Sequence, residues 1–304
     1  MKNIIEICEL SKQFNEFVAV NKISFTVKQG ELFAFLGTNG AGKSTTISMI
    51  CTLLAKTSGK IMVNGYDIDT AAEKVRSNLG VVFQNNVLDD LLTVADNLHI
   101  RAGLHGLNGQ ELHSRINVLR NLFELADIWN RPFGKLSGGQ KRKCEIARAI
   151  LGRPEILILD EPTTGLDPQT RTSIWNLIRD MQEQQGMTVF LTTHYMEEAA
   201  VADNVVILEK GEVRAEGTPD TLKSLYGKDT LKVRFSHLSN GMEQLKAMGY
   251  IPKQKADYVA LSVENSHEAL KILNHLDDFL DFELLKGNMD DVFLAVTRHE
   301  EILE

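Results

Sequence analysis

Apolar residues along this chain fall into short runs with two different spacings, and the alternation of those spacings predicts the architecture. Ile4 to Cys8, Phe17 to Val20 and Ile23 to Val27 are β-type runs with partial alternation, which predicts an antiparallel layer. Leu32 to Leu36 is a continuous apolar strand that feeds a glycine-rich loop and then a helix from Ser44 to Leu54. Gly80-Val81-Val82-Phe83 reads as another buried strand. From about Leu91 to Lys135 the period turns helical: Leu112, Ile116, Leu119 and Phe123 form a stripe, and Thr93 with Asp96 resembles a capping box. Ile156–Leu159, Val189–Leu191 and Val205–Leu208 then alternate with helices around 168–185 and 195–202, the pattern of a mostly parallel α/β sheet.

After Tyr226-Gly227 the texture changes. Leu231–Phe235, a helix near Gly241–Met248, Tyr258–Val263, a helix near Ser266–Leu276 and Phe279–Leu284 predict a small α+β unit of β-α-β-β-α-β order. The expected organisation is a domain over 1–226 with a helical insertion at about 88–150, followed by a C-terminal domain over 227–304.

Composition narrows the function classes. The chain has 304 residues, 43% hydrophobic and 24% charged, and no run near the ~18 apolar residues that span a bilayer. Its start, Met1-Lys2-Asn3-Ile4, is not a secretory signal. Cys8, Cys51 and Cys144 are too far apart for a metal site and read as buried thiols of a reducing compartment. Of the net charge of −8, −6 lies from Asp229 onward, where 14 acidic residues face 8 basic ones. Such a chain is a poor nucleic-acid binder, because phosphate neutralisation supplies most of that affinity. The densest basic cluster, Lys141-Arg142-Lys143, reads as a solvated helix face.

The chemistry is carried by two glycine-rich signals. Gly37-Thr38-Asn39-Gly40-Ala41-Gly42-Lys43-Ser44 has the form G-x-x-x-x-G-K-[ST], in the strand–loop–helix context that phosphate binding requires. Backbone N–H groups cradle the anion, Lys43 reaches the β/γ-phosphates, Ser44 holds Mg²⁺, and Thr45 adds an α-phosphate contact. Leu136-Ser137-Gly138-Gly139-Gln140 opens a helix, with Ser137 as N-cap and free N–H groups behind it as a second anion site. Ile156-Leu157-Ile158-Leu159 ends in Asp160 and Glu161, at the strand edge where open α/β sheets place ligands. Asp160 orients the metal, and Glu161, on the other side of the pleat, polarises a water.

These motifs resemble those of the nucleotide-binding subunits of ABC (ATP-binding cassette) transporters, over roughly residues 1–225. The resemblance implies a P-loop NTPase fold of the ABC type, with an antiparallel β layer and a helical insertion. Its Walker A loop is Gly37–Thr45, its signature Leu136–Gln140, and its Walker B strand Ile156–Asp160 with the catalytic glutamate Glu161. The Q-loop glutamine matches Gln84, the D-loop Thr164-Gly165-Leu166-Asp167, and the switch histidine His194; the adenine-stacking aromatic matches Phe14, with Phe17 a rival. The cofactors implied are ATP and Mg²⁺, the metal held by Ser44, Gln84 and Asp160. The partners implied are a second copy, head to tail, so that Ser137–Gln140 of one chain meet the nucleotide on the other, and a separate membrane permease that holds the subunit at the cytoplasmic face of the cell membrane. Lys43, Gln84, Glu161 and His194 form the implied catalytic set.

Within that family, the Gly-Thr-Asn-Gly-Ala-Gly-Lys loop and the tail Asn288-Met289-Asp290-Asp291-Val292-Phe293-Leu294 resemble export ATPases of the daunorubicin-resistance branch. Export of a drug, antibiotic or lipid-like molecule is the expected work. An importer subunit and a non-transport ABC ATPase are the alternatives.

Overall fold

The computed structural model describes residues 2–297 and divides into two compact units, Met1–Glu216 and Gly217–Glu304. Met1 and residues 298–304, the end of the expected C-terminal domain, lie outside the described residues.

The first unit opens with a long hairpin, β1 (Asn3–Phe14) and β2 (Phe17–Lys28), of 12 residues each. Three short runs were expected here. β-Bulges between Ile7 and Leu10, and around Lys12, shift the alternation, so one strand reads as fragments; Glu9 and Lys22 take positive φ of 47° and 46° within it. β3 (Leu32–Gly37) leaves the hairpin, and α1 (Lys43–Ile50) follows its loop. That helix stops short of the expected Leu54 because Thr52 turns to φ 59°. β4 (Ser58–Val63) and β5 (Tyr66–Asp67) complete an antiparallel sheet of order β2-β1-β4-β5.

After α2 (Ala72–Asn78) comes β6 (Leu79–Val82), then the helical insertion of α3 (Val94–Leu104), α4 (Gly109–Leu122) and α5 (Gly138–Ala149). The Ile116, Leu119 and Phe123 stripe is buried as its spacing predicts. The Thr93 cap is one-sided: its Oγ1 accepts from the Asp96 N–H at 3.1 Å. Asp96, shorter than glutamate, takes the Thr93 hydroxyl at 2.6 Å rather than closing a box. The chain continues through β7 (Ile156–Asp160), α6 (Pro168–Gln185), β8 (Thr188–Thr192), α7 (Met196–Ala199), β9 (Asn204–Glu209) and β10 (Glu212–Gly217). The second sheet has the order β10-β9-β3-β8-β7-β6, with β3, β8, β7 and β6 parallel. Their carboxyl ends therefore share one edge, and every loop that follows them opens there.

The two sheets of this unit bury one core. Phe25 of β2 stacks on Phe33 of β3 at 5.4 Å, and Phe33 meets Phe190 of β8 at 5.1 Å. Complete burial of each of these rings stabilises by roughly 1.5–3 kcal/mol, which holds β3, and hence the loop after it, against both layers. Two cysteines belong to this interior and one does not. Cys51 and Cys144 are buried, but Cys8 is exposed, against expectation, because it falls on the outward side of β1.

The second unit begins with α8 (Pro219–Tyr226), capped by Thr218. α8 packs against the last helix of that unit, α11 (Met289–Thr297), so the division falls ahead of the composition break at Tyr226-Gly227. Between them run β11 (Asp229–Phe235), α9 (Leu238–Ala247), β12 (Lys253–Gln254), β13 (Val259–Val263), α10 (Ser266–Leu273) and β14 (Phe279–Leu285). The sheet order β12-β13-β11-β14, antiparallel throughout, is a split β-α-β arrangement of the ferredoxin-like kind.

Candidate functional site

Parallel strands bring four loops to one edge, and a cavity of about 660 Å³ opens among them. Its floor is the loop after β3. Gly40 and Gly42 take φ of 81° and 103°. A Cβ on Gly42 would lie 2.5 Å from the Ala19 carbonyl oxygen, and one on Gly37 2.5 Å from that of Leu208, so neither position admits a side chain. No side chain caps α1. Its first-turn N–H groups and the positive end of its dipole therefore face the cavity without an internal partner. Asn39, Gly40, Gly42, Ser44 and Thr45 line this floor; Thr38 and Ala41 complete the turn, where the Ala41 N–H donates to the Thr38 carbonyl at 3.1 Å.

Lys43 is 7% exposed and lines the cavity. Its Nζ donates to the carbonyls of Gly37 at 2.8 Å and Thr38 at 3.1 Å. Burial lowers its pKa from the ordinary lysine value, opposed by the nearby Glu161 and Asp160 carboxylates. A partly desolvated ammonium held only by carbonyls is poised for an anion.

Asp160 ends β7 and accepts from the Thr192 hydroxyl at 2.6 Å. Burial holds its carboxyl above the usual aspartate range, against the Thr192 bond that lowers it. Glu161 leaves the strand in the left-handed region, φ 47°, pinned by its N–H donating to the Thr192 carbonyl and hydroxyl, both at 3.1 Å. That twist aims its carboxylate into the cavity. Glu161 Oε2 accepts from Gln84 Nε2 at 3.3 Å and from the Thr164 hydroxyl at 3.2 Å, and lies 3.5 Å from His194 Nδ1. Gln84, Glu161 and His194 come from three loops separated by 77 and 33 positions and converge on the cavity wall.

Both aromatic candidates line the mouth, Phe14 44% and Phe17 64% exposed. Lys12 Nζ covers Phe14 at 4.8 Å from the ring centre.

Ser137, Gly138, Gly139, Gln140 and Asp167 line no part of this cavity; they gather elsewhere on the unit. Ser137 accepts from the Gln140 N–H at 3.3 Å while Gln140 Oε1 accepts from the Ser137 N–H at 3.1 Å, a closed capping box. A Cβ on Gly138 would meet Leu166 at 3.2 Å, and one on Gly139 would collide with Thr170. Asp167 caps α6 through Thr170, and those hydrogen bonds hold its carboxyl below the usual range.

Two structural roles escaped the sequence reading. Thr192 and Thr164 hold the Glu161 turn, and the buried Glu198 accepts from the Thr163 hydroxyl and from Trp175 Nε1 at 2.9 Å, tying the segment after Glu161 to α6 and α7. A carboxylate four residues beyond His194 was the available signal. The second lies in Lys141-Arg142-Lys143, which is not a solvated face. Arg142 is 7% exposed and donates to the carbonyls of Phe83 at 2.8 Å and Gln84 at 3.4 Å; only its neighbours reach outward, Lys141 to Asp90 and Lys143 to Glu124. The helical period puts 142 on the inner side, which a run of like charges conceals.

Residues 20–164 match the family described as ABC transporter. The chain is 41% identical over 228 residues to the probable multidrug ABC transporter ATP-binding protein YbhF of Escherichia coli, covering 75% of this chain and 39% of that protein. It thus spans well under two thirds of that relative's length. It is 35% identical over 306 residues to the daunorubicin/doxorubicin resistance ATP-binding protein DrrA of Streptomyces peucetius, covering 97% of this chain and 92% of that one. Among solved structures it resembles the ATP-binding cassette MJ0796, dimeric in a post-hydrolysis state with ADP and Pi. That match has a TM-score of 0.64 and 29% identity over 70% of this chain and 98% of that one.

Proposed function

The chain belongs to the ABC transporter ATP-binding family, and from that premise we propose that it binds and hydrolyses ATP to drive export of a drug, antibiotic or other amphipathic molecule through a separate permease. The observation that carries this reading is the convergence of Gln84 and His194 on Glu161, at 3.3 and 3.5 Å from its Oε2, over the Lys43 loop. That is the set needed to hold a γ-phosphate and aim a water at it.

In this reading the α1 N–H groups and Lys43 take the β- and γ-phosphates, exchanging the Gly37 and Thr38 carbonyls for phosphate oxygens. Phe14 or Phe17 stacks on the adenine. Glu161 accepts the proton of the attacking water, and His194 and Gln84 hold that carboxylate and the γ-phosphate in register. Mg²⁺ fits the donors present: Ser44, Gln84 and Asp160 offer oxygen alone, as the ion prefers. Burial raises the Asp160 carboxyl even with Lys43 and Arg142 nearby, so a bound cation would hold it ionised. Bound there, the ion would neutralise phosphate oxygens.

The separate position of Ser137–Gln140 supports a head-to-tail dimer in which each chain completes its partner's site. Asp167, beside them, would lie at the same seam. An ATP-binding first unit and an accessory or dimerisation second unit, which begins at Gly217 rather than at the 226/227 boundary expected from composition, complete the proposal. No helix among the described residues is long and apolar enough to cross a membrane. The permease therefore supplies the passage and holds the subunit at the cytoplasmic face. A cleft of about 180 Å³ lined by Leu53, Phe83 and His105, with Leu53 63% exposed, supports a docking place for it.

The test is Mg²⁺-dependent ATP hydrolysis by the purified chain, together with the identity of the membrane protein that co-purifies from native membranes. A chain that binds no ATP sinks the enzyme; a substrate-binding protein in the complex favours an importer.

A further inference from the structure

Helix α5 carries buried charge that the nucleotide site does not use. Arg142, Glu145 and Arg148 recur every three residues, and Arg142 and Glu145 are 7% and 1% exposed. All three end on one segment of chain. Arg148 Nη2 donates to the Val81 carbonyl of β6, and its Nε donates to Glu145 Oε2 at 3.0 Å. Arg142 donates to the carbonyls of Phe83 and Gln84. Glu145 Oε1 accepts the N–H groups of Val87 at 2.7 Å and Leu88 at 2.9 Å. Residues 83–92 belong to no helix or strand, so their backbone groups need partners from elsewhere. Charge-assisted bonds from α5 supply them on both sides of Gln84.

Burying charges is costly unless each is satisfied, and the two that are buried, Arg142 and Glu145, are both spent on the Gln84 segment, while the less buried Arg148 ties Glu145 to β6. Burial lowers the pKa of Arg142 and Arg148 from the ordinary arginine value, and Glu145 opposes it. The Gln84 carboxamide meets Glu161 at a long 3.3 Å, a contact that a small backbone displacement would break. We propose that Arg142 and Glu145 are positioning residues for the reaction, fastening the Gln84 loop to α5 so that its carboxamide is aimed at Glu161. The proposal rests on the ATPase reading above. It adds a consequence, because α5 begins at Ser137: the loop that meets one nucleotide and the helix start that meets the partner's move as one body.

The experiment compares Arg142→Gln, Arg142→Lys and Glu145→Gln with Arg115→Gln, in the full chain. Arg115 is the control because it also donates to carbonyls, those of Leu151 and Ile150, but away from Gln84. Arg142→Gln is expected to lower kcat about 10- to 100-fold with nucleotide affinity unchanged, the scale of a misplaced catalytic group. Arg142→Lys restores part of it, since an ammonium still reaches one carbonyl. Arg115→Gln lowers Tm and leaves kcat below the melting range unchanged. Wild-type kcat in a folded Arg142→Gln protein, or a kcat loss that tracks Tm as in the control, overturns the proposal. Should Arg142→Gln fail to fold, Glu145→Gln carries the same comparison. Hydrogen exchange at Val87 and Leu88 reads the clamp without turnover: faster exchange in Glu145→Gln supports it, and equal exchange overturns it. Protected amides in a wild-type chain that hydrolyses no ATP would instead sink the ATPase reading and leave the clamp standing.

Discussion

Two helices of the first unit follow glycine-rich turns, α1 with Gly42 and α5 with Ser137 as its N-cap, and they solve the same problem in opposite ways. α1 begins at Gly42, φ 103°, with no side chain over its first turn and a buried ammonium beside it. α5 begins at Ser137, whose capping box with Gln140 already satisfies two donors inside the chain. An uncapped helix start leaves its first N–H groups to a bound anion, whereas the capping box occupies two of those at α5 and leaves the Gly138 and Gly139 N–H groups. On the proposed reading, the Lys43 loop is the primary binding site and the serine-glycine turn is the surface that joins it later. In the proposed head-to-tail dimer, that difference in capping would make the nucleotide bind first and the second copy join next.

The comparison is tested hardest at the group that acts only after both helix starts are engaged. Glu161→Gln keeps the size and the hydrogen bonds of the side chain but removes the base, so turnover should fall about 10²–10⁴-fold. Nucleotide binding should survive, and a closed dimer should accumulate, seen by light scattering with ATP. Turnover at the wild-type rate would remove Glu161 from its role. Next in size is Lys43→Ala, which takes the cation from the uncapped start. ATP affinity should drop roughly 10- to 100-fold, the worth of one or two charge-assisted bonds, in a titration of the single chain. Unchanged affinity would contradict the assignment of α1 as the primary site.

How much of this was legible in the residues depends on whether chemistry and backbone geometry coincide at one position. At Gly37, Gly42 and Lys43 they do: the residue types state both the turn and the ligand, and the loop lies where the pattern puts it. At Glu161 half the meaning was available. A carboxylate after an apolar strand is visible, but the left-handed turn that aims it depends on Thr192, 31 positions away. Arg142 and Cys8 were misread for one reason. Their surroundings are set by packing against segments remote in sequence, so a local run of charge, or a cysteine's usual preference for the interior, points the wrong way. The bulged hairpin of β1 and β2 hid its length because the alternation slips wherever an extra residue is inserted.

A smaller effect separates the two helix starts more sharply than either large one. Ser137→Ala opens the capping box and should cost about 1 kcal/mol of stability, read as a lower midpoint in urea. ATP affinity of the single chain should not change, because Ser137 lines no part of its own cavity. Hydrolysis should fall only with the fraction of chain that dimerises, so its dependence on protein concentration should steepen. Loss of affinity in the dilute, single-chain range would mean that the two helix starts serve one nucleotide within one chain.

The smallest effect uses thiols that the fold supplies for the purpose. Cys51 caps the end of α1 and Cys144 lies in α5, and burial pushes both up to about 12. At pH 8 almost none of either is thiolate, so alkylation of a native chain must wait for local opening. Cys8, exposed on β1, should react first and independently of ligand. Saturating ATP on the dilute chain should then slow Cys51, whose helix receives the phosphates, more than Cys144, which ATP reaches only through the Gln84 loop. Raising the protein concentration in the Glu161→Gln background should slow Cys144 further, because the proposed closed dimer would engage the start of α5 directly. Equal protection of both thiols in the dilute chain would erase the distinction between the waiting helix start and the self-capped one.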